Sequence, residues 1–327
     1  LYLLPQKITK QERRKLTTPM QIEFLQEKTI PINQDQTILE AALNAGISHF
    51  HACGGKAKCS TCRVLVLEGE EHISRPTKKE ARLTSILKLP ATVRLACQVK
   101  VEGGVVKVER IVKAESEISA FLKPIEQRPG HFKLKPLGEE KQLVLFFLDI
   151  RDFTPFVETY LPFDVIYLVR KLFDMFYKVI TKHHGQIIET SGDELYAIFG
   201  YESSLKEAAH SAIAAGFEIF AELKTLNKTY GKLFQKEFEI GIGIHCGKVI
   251  VGEINFGEYA RRSAMGLAVN IASRIQNSTK TLNNSFVVSE DMIRLSAYKS
   301  FTEVREIKLA GVKTPVRVYP IGEPYYT

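Results

Sequence analysis

Three cysteines within ten residues, and a fourth far downstream, constrain this chain more than any other feature. Cys53, Cys59 and Cys62 lie in HACGGKAKCSTCR, and Cys97 follows 35 residues later in RLACQ. Three clustered thiols plus one distant thiol is a spacing by which a chain wraps a [2Fe-2S] cluster, because soft sulfur suits iron and four thiolates complete two tetrahedral irons. Gly54 and Gly55 let the loop curl around inorganic sulfide, and small or polar neighbours present backbone N–H groups to the sulfurs. Zinc and buried free thiols are the alternatives. Zinc favours two short CxxC knuckles, and only Cys59 and Cys62 are so spaced. Five cysteines in 327 residues are too few for a secreted disulfide framework, and no signal-peptide pattern precedes them, so a reducing, cytoplasmic setting is expected. Cys246, outside the pattern, reads as a small buried apolar residue.

The length suits about two domains, and 45 % hydrophobic with 25 % charged residues is ordinary globular composition. The formal charge is +8, but residues 1–18 hold five Lys or Arg against one Glu and so contribute +4, half of it. A local basic stretch of this kind reads as a solvated tail or a segment facing anionic lipid rather than a nucleic-acid site. No stretch approaches the roughly 18 to 20 apolar residues needed to span a bilayer. The chain opens at Leu1 without methionine, so a membrane link is expected only through an upstream segment or the basic end, at the cytoplasmic face.

Around the cysteines, residues 20–32 (MQIEFLQEKTIPI) read as two β-rich runs about a turn, and QTILEAALNAG reads as an amphipathic helix stopped by Gly46. RVLVLEGEE is a strand leaving the cysteine loop, and QVKVEGGVVKVERIV is a terminal hairpin turning at Gly103-Gly104. Together with Cys-x5-Cys-x2-Cys and the distant Cys97, this region resembles the adrenodoxin-type and bacterial [2Fe-2S] ferredoxins. The resemblance implies a β-grasp domain over about residues 19–113, with the cluster on Cys53, Cys59, Cys62 and Cys97.

Residues 114–139 carry Pro124, Pro129, Gly130, Pro136 and Gly138 among mixed charges and read as a linker with one short helix. From Gln142 the pattern changes. QLVLFFLDI is a nearly continuous apolar strand, as for a strand buried on both faces. A long amphipathic helix ends ahead of Gly185, where His183 and His184 suit the negative end of the helix dipole. QIIET and ELYAIF then form a hairpin turning at Ser191-Gly192-Asp193. A helix over 204–228, the strand FEIGIGIH, the run VIVGEI, a helix around LAVNIASRI and the strand SFVVS complete the pattern. Helices on a mixed sheet give an α+β sandwich over 140–327, with His245 read as packing.

Asp149 ends the first of these strands and Asp193 lies in the adjacent hairpin turn. Paired acids at strand ends suit magnesium and phosphoryl transfer, although such positions also carry Asp for local hydrogen bonding. With their neighbours they become specific. LVLFFLDIRDFT, TSGDELYAIFG, GIGIHCGKVIVGEI and GLAVNIASRI resemble, in order and spacing, segments of the class III adenylyl and guanylyl cyclases. The resemblance implies that Asp149 and Asp193 bind two Mg2+ (or Mn2+) ions with help from the Ile150 carbonyl. It further implies that Asn270 orients the ribose and Arg274 stabilises charge on the α-phosphate as pyrophosphate leaves. Asn270 and Arg274 are four apart and so share one helix face; without the family context Arg274 would read as an ordinary surface cation. In these cyclases metals and base-recognition residues come from different subunits, and this chain carries both sets, which implies a head-to-tail homodimer.

Several positions depart from the family pattern. The base-recognition positions are Glu189 and Ser263, where adenylyl cyclases carry Lys and Asp or Thr and guanylyl cyclases carry Glu and Cys. Glu189 can accept from guanine N1–H and the 2-amino group but offers nothing to adenine N1; Ser263 can donate to guanine O6 or accept from adenine N6. The residues therefore lean to GTP over ATP. Against this, ferredoxin-fused bacterial cyclases as a group resemble adenylyl cyclases, and a neighbouring Lys or Arg could hold Glu189 away from the purine. Asp152 stands where the family has Gly, beside a triphosphate cradle of backbone N–H groups at Phe153 and Thr154, which points to weak nucleotide affinity. Leu267 replaces a common Asp. The usual Lys-Gly pair is Ala310-Gly311, leaving Lys313 as the phosphate-binding candidate, unless it is a solvated surface lysine.

The expected protein is a redox-responsive nucleotide cyclase that converts ATP or GTP to a 3′,5′-cyclic nucleotide and pyrophosphate, with an electron donor to the cluster as a further partner. Two other readings stand. In one, the chain is a ferredoxin-type electron carrier or redox sensor whose cyclase-like half dimerises or binds nucleotide. In the other, the cluster is purely structural.

Overall fold

The computed structural model describes residues 20–112, 122–124, 132–134, 138–256, 259–298 and 300–325. The chain divides into two compact units after Leu137. The basic residues 1–18 lie outside the described residues, as does most of the expected linker with its short helix. Within that linker, β6 (Leu122–Pro124) and β7 (Phe132–Leu134) pair antiparallel.

In the first unit the elements are β1 (Gln21–Phe24), β2 (Lys28–Pro31), α1 (Ile38–Asn44), β3 (Arg63–Glu68), α2 (Lys78–Leu87), β4 (Val93–Leu95) and β5 (Val105–Arg110). The sheet order is β2-β1-β5-β3-β4, with β1 parallel to β5 and the other pairs antiparallel. This is a β-grasp sheet. Thr37 caps α1 in a full capping box with Glu40, fixing where the helix starts. Its Ile38, Leu39, Ala41 and Ala42 are buried in one core with Ile22, Phe24, Leu95, Val106 and Val108. The expected terminal hairpin does not form. Lys100 bridges to Thr37 and Val101 to Ile73, while β5 inserts between β1 and β3, because Val106 and Val108 are needed in the middle of the core face.

Helix α2, not read from the sequence, is anchored by a charge. Its one buried residue is Glu80, whose carboxylate takes Nε and Nη2 of Arg94 at 2.9 and 3.0 Å and the Leu95 N–H at 2.9 Å.

The second unit contains β8 (Glu139–Ile150), α3 (Phe153–Thr159), α4 (Pro162–Lys182), β9 (Gln186–Ser191), β10 (Glu194–Phe199), α5 (Leu205–Leu233), β11 (Ile240–Phe256), β12 (Tyr259–Met265), α6 (Leu267–Thr281), β13 (Phe286–Ser289), α7 (Glu290–Leu295), β14 (Arg305–Ile307) and β15 (Val316–Pro320). The sheet runs β14-β15-β13-β11-β8-β10-β9, with β12 paired to β11. FEIGIGIH and VIVGEI are one continuous strand, not two.

The period-2 geometry of a strand explains why β8 is apolar almost throughout. Val144, Phe146, Leu148 and Ile150 face the core under α4, α5 and α7, while Leu143, Leu145 and Phe147 face the opposite core with Ala268 and Ala272 of α6. Two glycines of β11 set the distance of α6 from the sheet. A Cβ on Gly243 would collide with the Gln276 backbone, and one on Gly241 with the Arg151 guanidinium. Helix α6 thus lies directly on the strand, bringing Asn270 and Arg274 close to the sheet. As read from sequence, His245 is packing: it is buried, and its Nδ1 lies 2.9 Å from Ser289 Oγ. Cys246 is buried in the main core. Among the described residues no helix is long and apolar enough to cross a membrane.

Candidate active site and cluster loop

In the cluster loop the four thiols come as two pairs. Cys62 and Cys97 are 3.5 Å apart, sulfur to sulfur, and Cys53 and Cys59 are hydrogen-bonded to each other. No group of three or more His, Cys, Asp or Glu among the described residues is set to hold a single metal ion. Two thiol pairs instead fit a two-iron cluster, with two thiolates for each iron. The Lys58 N–H lies 3.5 Å from Cys53 Sγ, Thr61 Oγ1 3.1 Å from Cys59 Sγ and Gln98 Nε2 3.6 Å from Cys97 Sγ. These donors stabilise negative sulfur. The Cys62–Cys97 contact holds the Cys97 thiol below its ordinary range and the Cys62 thiol above it. Gly54 and Gly55 both take positive φ, 67° and 79°, which the curl of the loop requires.

In the second unit, Asp149 lies one residue before the end of β8, and register places Glu194, the neighbour of Asp193, directly opposite it. The Ile150 N–H donates to the Asp193 carbonyl at 3.3 Å. Burial first, and then the hydrogen bond and charge of Asp193, push the Asp149 carboxyl up to about 6. Two carboxylates sharing a half-buried site at this cost are a donor set that a dication would relieve.

Arg151, absent from the sequence reasoning, is the main counter-charge. Its Nη1 lies 2.7 Å from Asp149 Oδ2, its Nε donates to Tyr325 Oη at 3.0 Å, and its Nη2 donates to Thr279 Oγ1. Gln276 Nε2 approaches the same Asp149 oxygen at 3.4 Å and Lys280 Nζ at 3.9 Å. The available sign was Gly241, whose missing side chain makes room for the Arg151 guanidinium.

Three of the residues singled out from sequence lie together. Glu189 on β9, Ser263 on β12 and Asn270 on α6 line one open cavity of about 460 Å³ with Phe147, Glu194 and Tyr196. Asp149, Asp193 and Arg274 are not part of its wall. Arg261 Nη1 stands 3.7 Å from Glu189 Oε1, and Arg261 is anchored by its Nε to the Ile188 carbonyl at 2.9 Å. The Arg261 and Glu189 side chains are 47 % and 56 % exposed, so this pair is a weak restraint.

Arg274 is half-buried, and the loop at Gly311 closes on its guanidinium: a Cβ there would lie 3.7 Å from Nη2. Lys313 is exposed in the same loop. Asp152 adopts φ 50°, ψ 38° ahead of α3, a left-handed conformation that explains why glycine suits this position. Phe153 packs against the core beside Phe156, while Thr154 is exposed on the first turn of α3.

Comparison with known proteins identifies both units. Residues 137–322 match the adenylate and guanylate cyclase catalytic domain, and residues 23–102 match the 2Fe-2S iron-sulfur cluster binding domain. Adenylate cyclase 1 of Rhizobium meliloti is 27 % identical over 193 residues, covering 59 % of this chain and 29 % of that protein. An adenylate cyclase of Anabaena cylindrica is 27 % identical over 187 residues, 55 % of this chain and 37 % of that protein. The chain thus spans about a third of the length of these relatives. Among solved structures, the guanylyl cyclase Cya2 superposes with a TM-score of 0.52 at 28 % identity, over 58 % of this chain and 97 % of that one. The adenylyl cyclase CyaB of P. aeruginosa gives 0.50 at 26 % identity, over 55 % and 93 %. The chain belongs to the adenylate and guanylate cyclase catalytic-domain family, and carries ahead of that domain a β-grasp domain of the 2Fe-2S cluster-binding kind.

Proposed function

We propose that this chain is a redox-responsive class III nucleotide cyclase, which as a head-to-tail homodimer converts a nucleoside triphosphate to a 3′,5′-cyclic nucleotide and pyrophosphate. One observation carries the reading. A single protomer presents an acidic pair, Asp149 with Asp193, outside the wall of a cavity that contains Glu189, Ser263 and Asn270. Because the acidic pair and Arg274 lie outside that wall, a second copy in head-to-tail arrangement would complete each site.

In the reaction the ribose O3′ forms a bond to the α-phosphorus, the bond from that phosphorus to the bridging oxygen breaks, and the 3′ proton and pyrophosphate depart. Bound at Asp149 and Asp193 with the Ile150 carbonyl beside them, Mg2+ or Mn2+ would supply positive charge that eases loss of the 3′ proton and neutralises the triphosphate. The chain's own groups do the rest. Asn270 orients the ribose, and Arg274, steadied by the loop at Gly311, balances charge developing on the α-phosphate. Lys313 and the Phe153 and Thr154 backbone receive the phosphates. In apo protein Arg151 holds the Asp149 carboxylate in place.

Glu189 favours GTP as the better substrate, since its link to Arg261 is too exposed to withdraw it from the cavity. The cluster on Cys53, Cys59, Cys62 and Cys97 would serve as the regulatory input, receiving its electron from a separate donor. The test is direct. Protein with Mg2+ should form cyclic nucleotide from GTP and, more slowly, from ATP, and Asp149→Ala should not. Binding of both triphosphates without any cyclic product would favour the non-catalytic reading.

A further inference from the structure

The cavity that takes the base has a polar group in its wall that the family pattern does not account for. Tyr196 on β10 is 6 % exposed, and among the described residues its hydroxyl has no hydrogen-bond partner. Buried hydroxyls without partners are uncommon and costly. Phenylalanine would fill the same volume without that cost. The ring itself is fixed: it stacks on Phe147 of β8 at 4.6 Å with an interplanar angle of 9°. Register places Tyr196 directly opposite Phe147 on one side and Glu189 on the other. Tyr196 thus lines the same cavity as Glu189, Ser263 and Asn270, with its hydroxyl buried beside Glu189.

We infer that Tyr196 is a specificity-determining residue whose hydroxyl donates to the O6 of a guanine base while Glu189 accepts from the neighbouring N1–H. The inference rests on the cyclase reading above and deepens it. A donor and an acceptor side by side match guanine, whose adjacent edge positions are an acceptor at O6 and a donor at N1; adenine presents the opposite order there. Burial, and then the negative charge of Glu189, keep the phenol in its protonated, donating form. The ring's stacking fixes its direction before any ligand arrives, so little ordering entropy is lost on binding.

The account makes two predictions of opposite sign for Tyr196→Phe. Without nucleotide the variant should melt at the same temperature as the parent or higher, because an unsatisfied buried hydroxyl has been removed. In titrations with the non-cyclisable 3′-deoxy-GTP and 3′-deoxy-ATP, it should lose about tenfold in affinity for the guanine nucleotide and be unchanged for the adenine one. Equal affinities for both nucleotides in parent and variant would overturn the inference and point to an ordered water as the hydroxyl's only partner. So would a lowered melting temperature with both affinities reduced alike, which is the mark of a structural role. Turnover separates this inference from the reading beneath it. Cyclic product with no effect of Tyr196→Phe on base preference sinks only the inference. The predicted affinity pattern without cyclic product from either triphosphate sinks only the cyclase reading.

Discussion

The cluster loop takes three of its four thiols from ten consecutive residues, whereas the proposed nucleotide site draws Asp149, Glu189, Asp193, Ser263, Asn270 and Arg274 from three strands, a turn and a helix. The difference bears on how each can fail. A ligand loop of that kind depends on local curvature, supplied by Gly54 and Gly55, and on one long-range contact, Cys62 with Cys97. The cyclase site depends on strand register across β8, β9, β10 and β11 and on how closely α6 lies against the sheet, so it is as sound as the whole second core.

The largest expected effect sets the two regions apart outright. Cys59→Ser should abolish iron incorporation, read as lost visible absorption and lost dithionite bleaching, while the second unit keeps its folded circular dichroism signature. Zinc with no iron in anaerobically purified parent protein would contradict the cluster assignment. Next, Asp149→Ala and Arg274→Ala should each lower cyclase activity by at least about a hundredfold as homodimers. Mixed dimers of the two should regain a substantial part of it, since one of their two sites is intact. No recovery in verified mixed dimers would break the shared-site account.

A third effect belongs to the first unit. Glu80→Ala leaves the buried Arg94 guanidinium unpaired and should cost about 3–5 kcal/mol in urea unfolding of the first unit, against little change at the cyclase site. The smallest effect concerns the sign of pH dependence in metal-chelated protein. Asp149 has a raised folded value near 6 against 3.8 unfolded, so its contribution falls away as pH rises from about 4 to about 6. Asp149→Asn should flatten that slope by an order of 2–3 kcal/mol. His49 of the first unit is fully buried, and burial lowers it from 6.5 to about 3. Its contribution is present above 6.5 and is lost as pH falls toward 3. The two units should therefore shift in opposite directions on mild acidification, which unfolding monitored separately in each unit would check.

The same contrast governed what could be read from sequence. The cluster loop was legible because its ligands are neighbours in the chain. The α+β sandwich was legible from β8, whose apolar residues alternate between two buried faces. Glu189, Ser263 and Asn270 were reached through motif resemblance, and the structure brings them together around one cavity. Arg151 was missed because an arginine just past a strand end carries no periodic signal, and its role depends on Gly241, Thr279 and Tyr325, which are far away in sequence. Tyr196 was not singled out within its apolar strand, and the absence of a partner for its hydroxyl among the described residues is what distinguishes it. Helix α2 was not read from the sequence, and its one fully buried residue is a charge, Glu80, held by Arg94.

The central claim is that one polypeptide couples the state of an iron-sulfur cluster to the making of a cyclic nucleotide. Its most direct test is the rate of cyclic nucleotide formation from GTP and from ATP by anaerobically purified protein, with the cluster first oxidised and then reduced by dithionite in the same cuvette. The account predicts product in at least one state, a reversible change of rate between the two, and loss of that change in Cys59→Ser. Identical rates in both states would contradict the coupling, and no product from either nucleotide in either state would contradict the cyclase itself.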